Sequence, residues 1–126
     1  MITNFEQLTY EVTTMEKEIA SYLAKEFNKN HRGKDNSITS SKIIKMLARK
    51  SRKWKMSDSR LRKIINYIRN ENLCNCLIAT SKGYYTSSKE QDVKIYMKSL
   101  AQRANEILHV RTALSNQYTK RFKKKI

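Results

Sequence analysis

Between Ser57 and Asn66 the chain reads SDSRLRKIIN, and six of those ten side chains are donors suited to an anionic polymer: Ser57, Ser59, Arg60, Arg62, Lys63 and Asn66. An arginine can present two parallel N–H groups to guanine, and an asparagine can pair its amide with adenine. Arg60, Arg62 or Lys63, and Asn66 are therefore the residues suited to reading bases. Hydroxyls and ammonium groups hold phosphate without regard to sequence, a role that suits Ser57, Ser59, Lys53, Lys55 and Lys82. A charged run is more often a solvated face than a binding surface. Here its neighbourhood favours binding. The preceding linker adds Arg49, Lys50, Arg52, Lys53 and Lys55, and Asp58 is the one acid nearby.

Other chemistry finds little support. The acids form no paired constellation, there is no glycine-rich phosphate loop, and neither histidine sits in a motif, so the chain reads as a binding protein and not an enzyme. Cys74-x-Cys76 puts two thiols on one face of a short extended run. A structural zinc wants four ligands, and His31 and His109 lie far away in sequence. Core thiols, with no metal and no cofactor, are the better reading.

Composition points the same way. The 126 residues carry 27 Lys+Arg against 11 Asp+Glu, a net charge of +16. Such a surplus repels itself unless an anionic partner screens it. Nucleic acid is the commonest such partner and an anionic membrane surface the second. No apolar run approaches the ~20 residues that span a bilayer, and the opening MITNFEQLTYE lacks a signal peptide's hydrophobic region. A cytoplasmic protein is expected, associated with the nucleoid, or with the host cytoplasm if viral, with both thiols free and no membrane partner.

The elements that must position these residues follow from periodicity. Thr13 and Glu16 form a capping box for a helix over about 14–28, with Met15, Ile19, Tyr22, Leu23 and Phe27 on one face. A polar loop centred on Gly33 follows, and Ile38 stands alone as a very short strand. Thr39 or Ser40 caps a second helix, about 41–50, whose apolar face is Ile43, Ile44, Leu47 and Ala48. Trp54, in the basic linker 49–56, reads as a plug at the core edge in preference to a base-stacking ring. Ser57 caps a third helix, in which Leu61, Ile64, Ile65 and Ile68 recur at i, i+3, i+4, i+7 and must face the core. Burying each contributes ~1.5–3 kcal/mol. Asn70-Glu71-Asn72 ends that helix. The run 73–80, the turn Ser81-Lys82-Gly83 and Tyr84-Tyr85-Thr86 then read as a β-hairpin. One of the two tyrosines should face the core, leaving the other for phosphate or sugar.

Ser88 and Gln91 suggest a second capping box opening a helix over 89–118, ~45 Å long at 1.5 Å per residue. Val93, Met97, Leu100, Ala104, Ile107, Leu114 and Tyr118 form a heptad seam interrupted by Arg111. Part of it is expected to pack on the first helix and on Phe5, Leu8 and Tyr10. The rest calls for a homodimer through Val93, Met97, Leu100, Ala104, Ile107 and Leu114, or for a bundle closed within one chain. The last eight residues, TKRFKKKI, read as a frayed basic tail.

This order of helix, short strand, two helices, hairpin and long helix resembles a winged helix-turn-helix domain over residues 14–86. The run NENLCNCLIATSKGYYTSSKEQDVKIYMKSLAQRANEI is similar to small winged-helix proteins of phages and mobile elements, in which a Gly-Tyr-Tyr-like step leads into a long helix carrying Ser-Leu-x-x-Arg, here Ser99, Leu100 and Arg103. The linker departs from that pattern, being longer and more basic than the usual turn. The resemblance implies a mainly α fold with a small β-hairpin wing: an N-terminal segment (1–13), a winged-helix domain (14–88), a long C-terminal helix (89–118) and a basic tail (119–126). It implies double-stranded DNA as partner, for a transcription regulator or a DNA-binding accessory protein. The same charge would also serve an RNA or single-strand binder. A protein-interaction adaptor for a host or replication factor is the reading from a different class.

Overall fold

The computed structural model describes residues 11–124. The expected contacts of Phe5, Leu8 and Tyr10 lie outside them. The fold is mainly helical, with one two-stranded antiparallel hairpin and a long C-terminal helix. The chain divides into two compact units, residues 1–88 and 89–126.

Among its described residues, the first element of the first unit is α1 (Thr14–Asn30). Its capping box forms as the sequence predicts: Thr13 Oγ1 accepts from the Glu16 N–H, and the Glu16 carboxylate accepts from the Thr13 N–H. A short 3-10 turn (Lys34–Asn36) leads to α2 (Ser40–Lys50), capped by Thr39. A second such turn (Arg52–Trp54), capped by Ser51, leads to α3 (Asp58–Asn70), capped by Ser57. Strands β1 (Leu77–Thr80) and β2 (Gly83–Thr86) pair with Thr80 opposite Gly83, so Ser81 and Lys82 form the turn.

The three helices enclose one core. Ile19, Leu23, Phe27, Ile43 and Leu47 meet the whole predicted α3 stripe, Leu61, Ile64, Ile65 and Ile68, and Leu77 enters from β1. Ile38 is the predicted short strand, reduced to one bridge: its N–H donates to the Tyr84 carbonyl and its carbonyl accepts from the Tyr84 N–H, at 2.9 and 2.8 Å. Gly83, at φ +118°, permits that approach. A Cβ there would run into the Ile38 carbonyl, with Thr39 N 2.8 Å away. The far end of β2 is fixed to the end of α1. Thr86 N–H donates to the His31 carbonyl, the Gly33 N–H donates to the Thr86 carbonyl, and the Thr86 hydroxyl lies 3.5 Å from the Phe27 carbonyl.

Among its described residues, the second unit is the one helix α4 (Glu90–Phe122). It runs past Tyr118 into the segment read as a frayed tail. Ser88 does not cap it: the N-cap is Lys89, with no side-chain hydrogen bond. None of its residues is buried.

Two readings of the hairpin region need correction. Neither cysteine lies in a strand. The chain is still unwinding from α3 through Asn72 (φ 55°) and Cys76 (φ 29°), so pairing begins only at Leu77. Cys74 is half-buried against the core and Cys76 is exposed, both as free thiols. Neither tyrosine faces solvent. Tyr85 is buried, and Tyr84 is half-buried and packed against Phe27, because the Ile38 bridge brings the 31–39 segment alongside β2.

Candidate nucleic-acid interface

The buried stripe of α3 decides which of its polar side chains are available. With Leu61, Ile64, Ile65 and Ile68 inward, helical periodicity leaves Ser59, Arg62, Asn66 and Asn70 as one ridge on the opposite face, and all four are exposed. Ser59, Arg62, Lys63, Asn66 and Asn70 line a single shallow depression, with Val12, Tyr67 and Glu71 at its edges. Four of the predicted contact residues thus share one surface.

Arg60 and Lys63 lie off that ridge, Lys63 at its flank, and both have another employment. Glu16 is 1 % exposed, yet it is a carboxylate. Arg60 Nε donates to Glu16 Oε2 at 2.8 Å, and Lys63 Nζ lies 2.9 Å from Oε1, which also accepts from the Thr13 N–H. Lys63 Nζ donates further to the Glu11 carbonyl at 3.1 Å. Burial alone would push the Glu16 carboxyl up. The Thr13 N–H, Arg60 and Lys63 together outweigh it and hold the group down at about 2. A buried charge is tolerated when it is paired and hydrogen-bonded on every side. The sequence shows Glu16 as the capping residue but not as the counter-ion of α3, because its partners lie 44 and 47 positions away. Of the residues suited to reading bases, Arg62 and Asn66 are left freely presented, and Lys63 reaches the depression while tethered.

Cationic surface continues upstream. From residue 36 to residue 57 there is no acid, while Lys42, Lys45, Arg49, Lys50, Arg52, Lys53 and Lys55 are all exposed. Trp54 plugs the edge of the core, its ring 5.5 Å from Tyr22 in a tilted pair, with Lys50 Nζ 5.1 Å from the same tyrosine ring. That anchoring leaves Lys53 and Lys55 outside. The Ser57 hydroxyl is exposed while it accepts the Arg60 N–H. Lys82, at the hairpin tip, is exposed and lines a different depression with Lys34, Asp35 and Ser37. Lys34 is a neighbour the sequence did not single out, since its loop reaches the hairpin through the bridges of Arg32 to Thr86 and Ile38 to Tyr84, which no local pattern records.

The Cys74 thiol is pushed up to about 11 by burial, with Arg69 opposing and Cys76 adding to the rise. Among the described residues, no three His, Cys, Asp or Glu side chains come together to hold a metal ion, and no helix is long and apolar enough to cross a membrane. Compared with protein-family models, with curated proteins and with solved structures, the chain matches none.

Proposed function

We propose that the first unit is a winged helix that binds double-stranded DNA, with α3 in the major groove and the basic stretch from α2 to Lys55, together with Lys82 on the hairpin, against the backbone. The observation that carries this reading is the exposed ridge of Ser59, Arg62 and Asn66, on a helix whose other face is locked into the core. A reading helix needs that rigidity, since a bidentate contact tolerates little play. Single-stranded nucleic acid is usually held by stacking bases on exposed aromatic rings. Among the described residues of this unit, Tyr22, Trp54, Tyr67 and Tyr84 are half-buried and Phe27 and Tyr85 buried, which favours the duplex. The biological role that fits is transcription regulation, or an accessory DNA-binding task of a phage or mobile element.

The test is selection of bound sequences from a random duplex pool, followed by titration of variants at several salt concentrations. Arg62→Ala should cost ~1–3 kcal/mol on the selected site and relax the preference at one position. Lys53→Ala with Lys55→Ala should weaken all duplexes alike and lower the salt slope by ~0.9 for each phosphate no longer neutralised. If Arg62→Ala combined with Asn66→Ala leaves binding to every duplex unchanged, α3 is not the reading element.

A further inference from the structure

Among the described residues, much of the apolar side of α4 is exposed. Met97, Leu100, Ile107 and Leu114, which share one heptad seam, are 61, 43, 69 and 59 % exposed. In the C-terminal half, Ile107, Val110, Leu114 and Tyr118 line a shallow groove, extended by Phe122, whose ring lies 5.1 Å from that of Tyr118. In proteins most helical stability comes from packing an apolar face.

We propose that this face is covered by α4 of a second copy, running antiparallel. The direction follows from where the charges sit. The first turn carries Glu90 and Asp92, flanked by Lys89 and by Lys94, whose Nζ lies 3.5 Å from Glu90, and Glu106 is the only acid after it. The last turn carries Lys120 and Arg121, with Lys123 and Lys124 directly beyond. In heptad terms Arg111 and Arg121 fall on the seam itself, in step with Ala104 and Leu114. A parallel pair in register would set Arg111 against the partner's Arg111 and Arg121 against the partner's Arg121, two layers of like charge in the interface. It would also bring the two lysine-rich ends together.

The antiparallel arrangement removes both conflicts. A register that places Ala104 against the partner's Ile107 also places Met97 against the partner's Leu114 and Leu100 beside the stem of the partner's Arg111. The same register brings Glu90 to the partner's Arg121. Each of these pairings occurs twice by symmetry, as an isologous contact requires. The small side chain of Ala104 sits near the centre of the pair, where the backbones come closest. Opposed helix dipoles then add attraction where the parallel form has repulsion. A second copy fits this surface because one chain supplies both halves of the seam and, in Glu90 and Arg121, one pair of opposite charges at each end.

The experiment uses the full chain without DNA. Sedimentation at tens of micromolar should give a dimer, and Leu100→Ala with Ile107→Ala and Leu114→Ala should give a monomer with unchanged Trp54 fluorescence. Orientation is read by pulsed electron spin resonance, with a nitroxide on Gln91→Cys in a chain carrying Cys74→Ser and Cys76→Ser. Position 91 faces the partner's residue 120 in the antiparallel register, so at ~1.5 Å per residue the labels stand roughly 45 Å apart. A parallel pair, with axes ~8–10 Å apart, would hold them within about 30 Å. The long distance supports the proposal. A short distance would overturn the antiparallel arrangement, and a monomer at that concentration would overturn the pairing altogether.

Discussion

The buried carboxylate of Glu16 makes a prediction about stability that is separable from any binding. Glu16→Gln keeps the shape of the side chain and its acceptor for the Thr13 N–H, but removes the charge that faces Arg60 and Lys63. In the folded chain the group lies at about 2, against an ordinary 4.5. At ~1.4 kcal/mol per pH unit that gap is worth ~3.5 kcal/mol at most. The Arg60 side chain is 35 % exposed, so water screens part of it and ~2 kcal/mol is the working figure. A carboxylate held below its unfolded value stabilises the fold fully above pH 4.5, and loses that contribution as pH falls toward 2. The parent should therefore exceed Glu16→Gln by ~2 kcal/mol at pH 7, and the gap should close between pH 4.5 and 2. Urea unfolding followed by Trp54 measures this, because the ring is packed against the core of the first unit. With a slope near ~1 kcal/mol per molar urea, the midpoint should fall by roughly 2 M. If the variant matches the parent at pH 7, or differs from it equally at pH 7 and pH 2.5, the triad of Glu16, Arg60 and Lys63 does not hold the fold as argued.

Two further perturbations address the hairpin. Gly83→Ala should destabilise the first unit by more than ~2 kcal/mol, because the new Cβ meets the Ile38 backbone and not a movable side chain; thermal unfolding within ~0.5 kcal/mol of the parent would contradict the close approach. Thiol labelling at pH 8 should show one fast group per chain, Cys76, and one slow group, Cys74, which is half-buried and poorly ionised. In urea the two rates should converge. Two equally fast thiols in the folded chain would place Cys74 outside the core.

What the sequence made legible was local. The Thr13–Glu16 box, the Ser57 cap and the α3 stripe each depend on residues within one or two turns, and each appears in the structure where the pattern placed it. The ridge of Ser59, Arg62 and Asn66 was readable as the complement of that stripe. Contacts across the chain were not. The pairing of Glu16 with α3 requires two helices to dock in a particular rotation, and no spacing rule records that. The covering of Tyr84 depends on Ile38, whose single bridge leaves only a faint alternation in the sequence. Ser88 and Gln91 had the composition of a cap without its geometry, because a capping motif states a preference and the chain enters α4 one residue later. The cysteine run failed for a similar reason: β-type composition over 73–80 says nothing about where the chain finishes leaving a helix.

Thr86 has a consequence in time. Its hydroxyl and backbone groups close on Phe27, His31 and Gly33, and the hydroxyl contacts span 59 and 55 positions. Those bonds form among the last residues of the unit to be made. Helices α1, α2 and α3 can begin to form as they emerge during synthesis, but β2 cannot dock until residue 86 has cleared the ribosome. Until then the loop at 31–38 lacks its partners and Ile38 has no strand to pair with. Closure over so long a span is entropically slow compared with helix formation. The step that completes the unit is therefore the docking of β2 on the end of α1 and the loop that follows it.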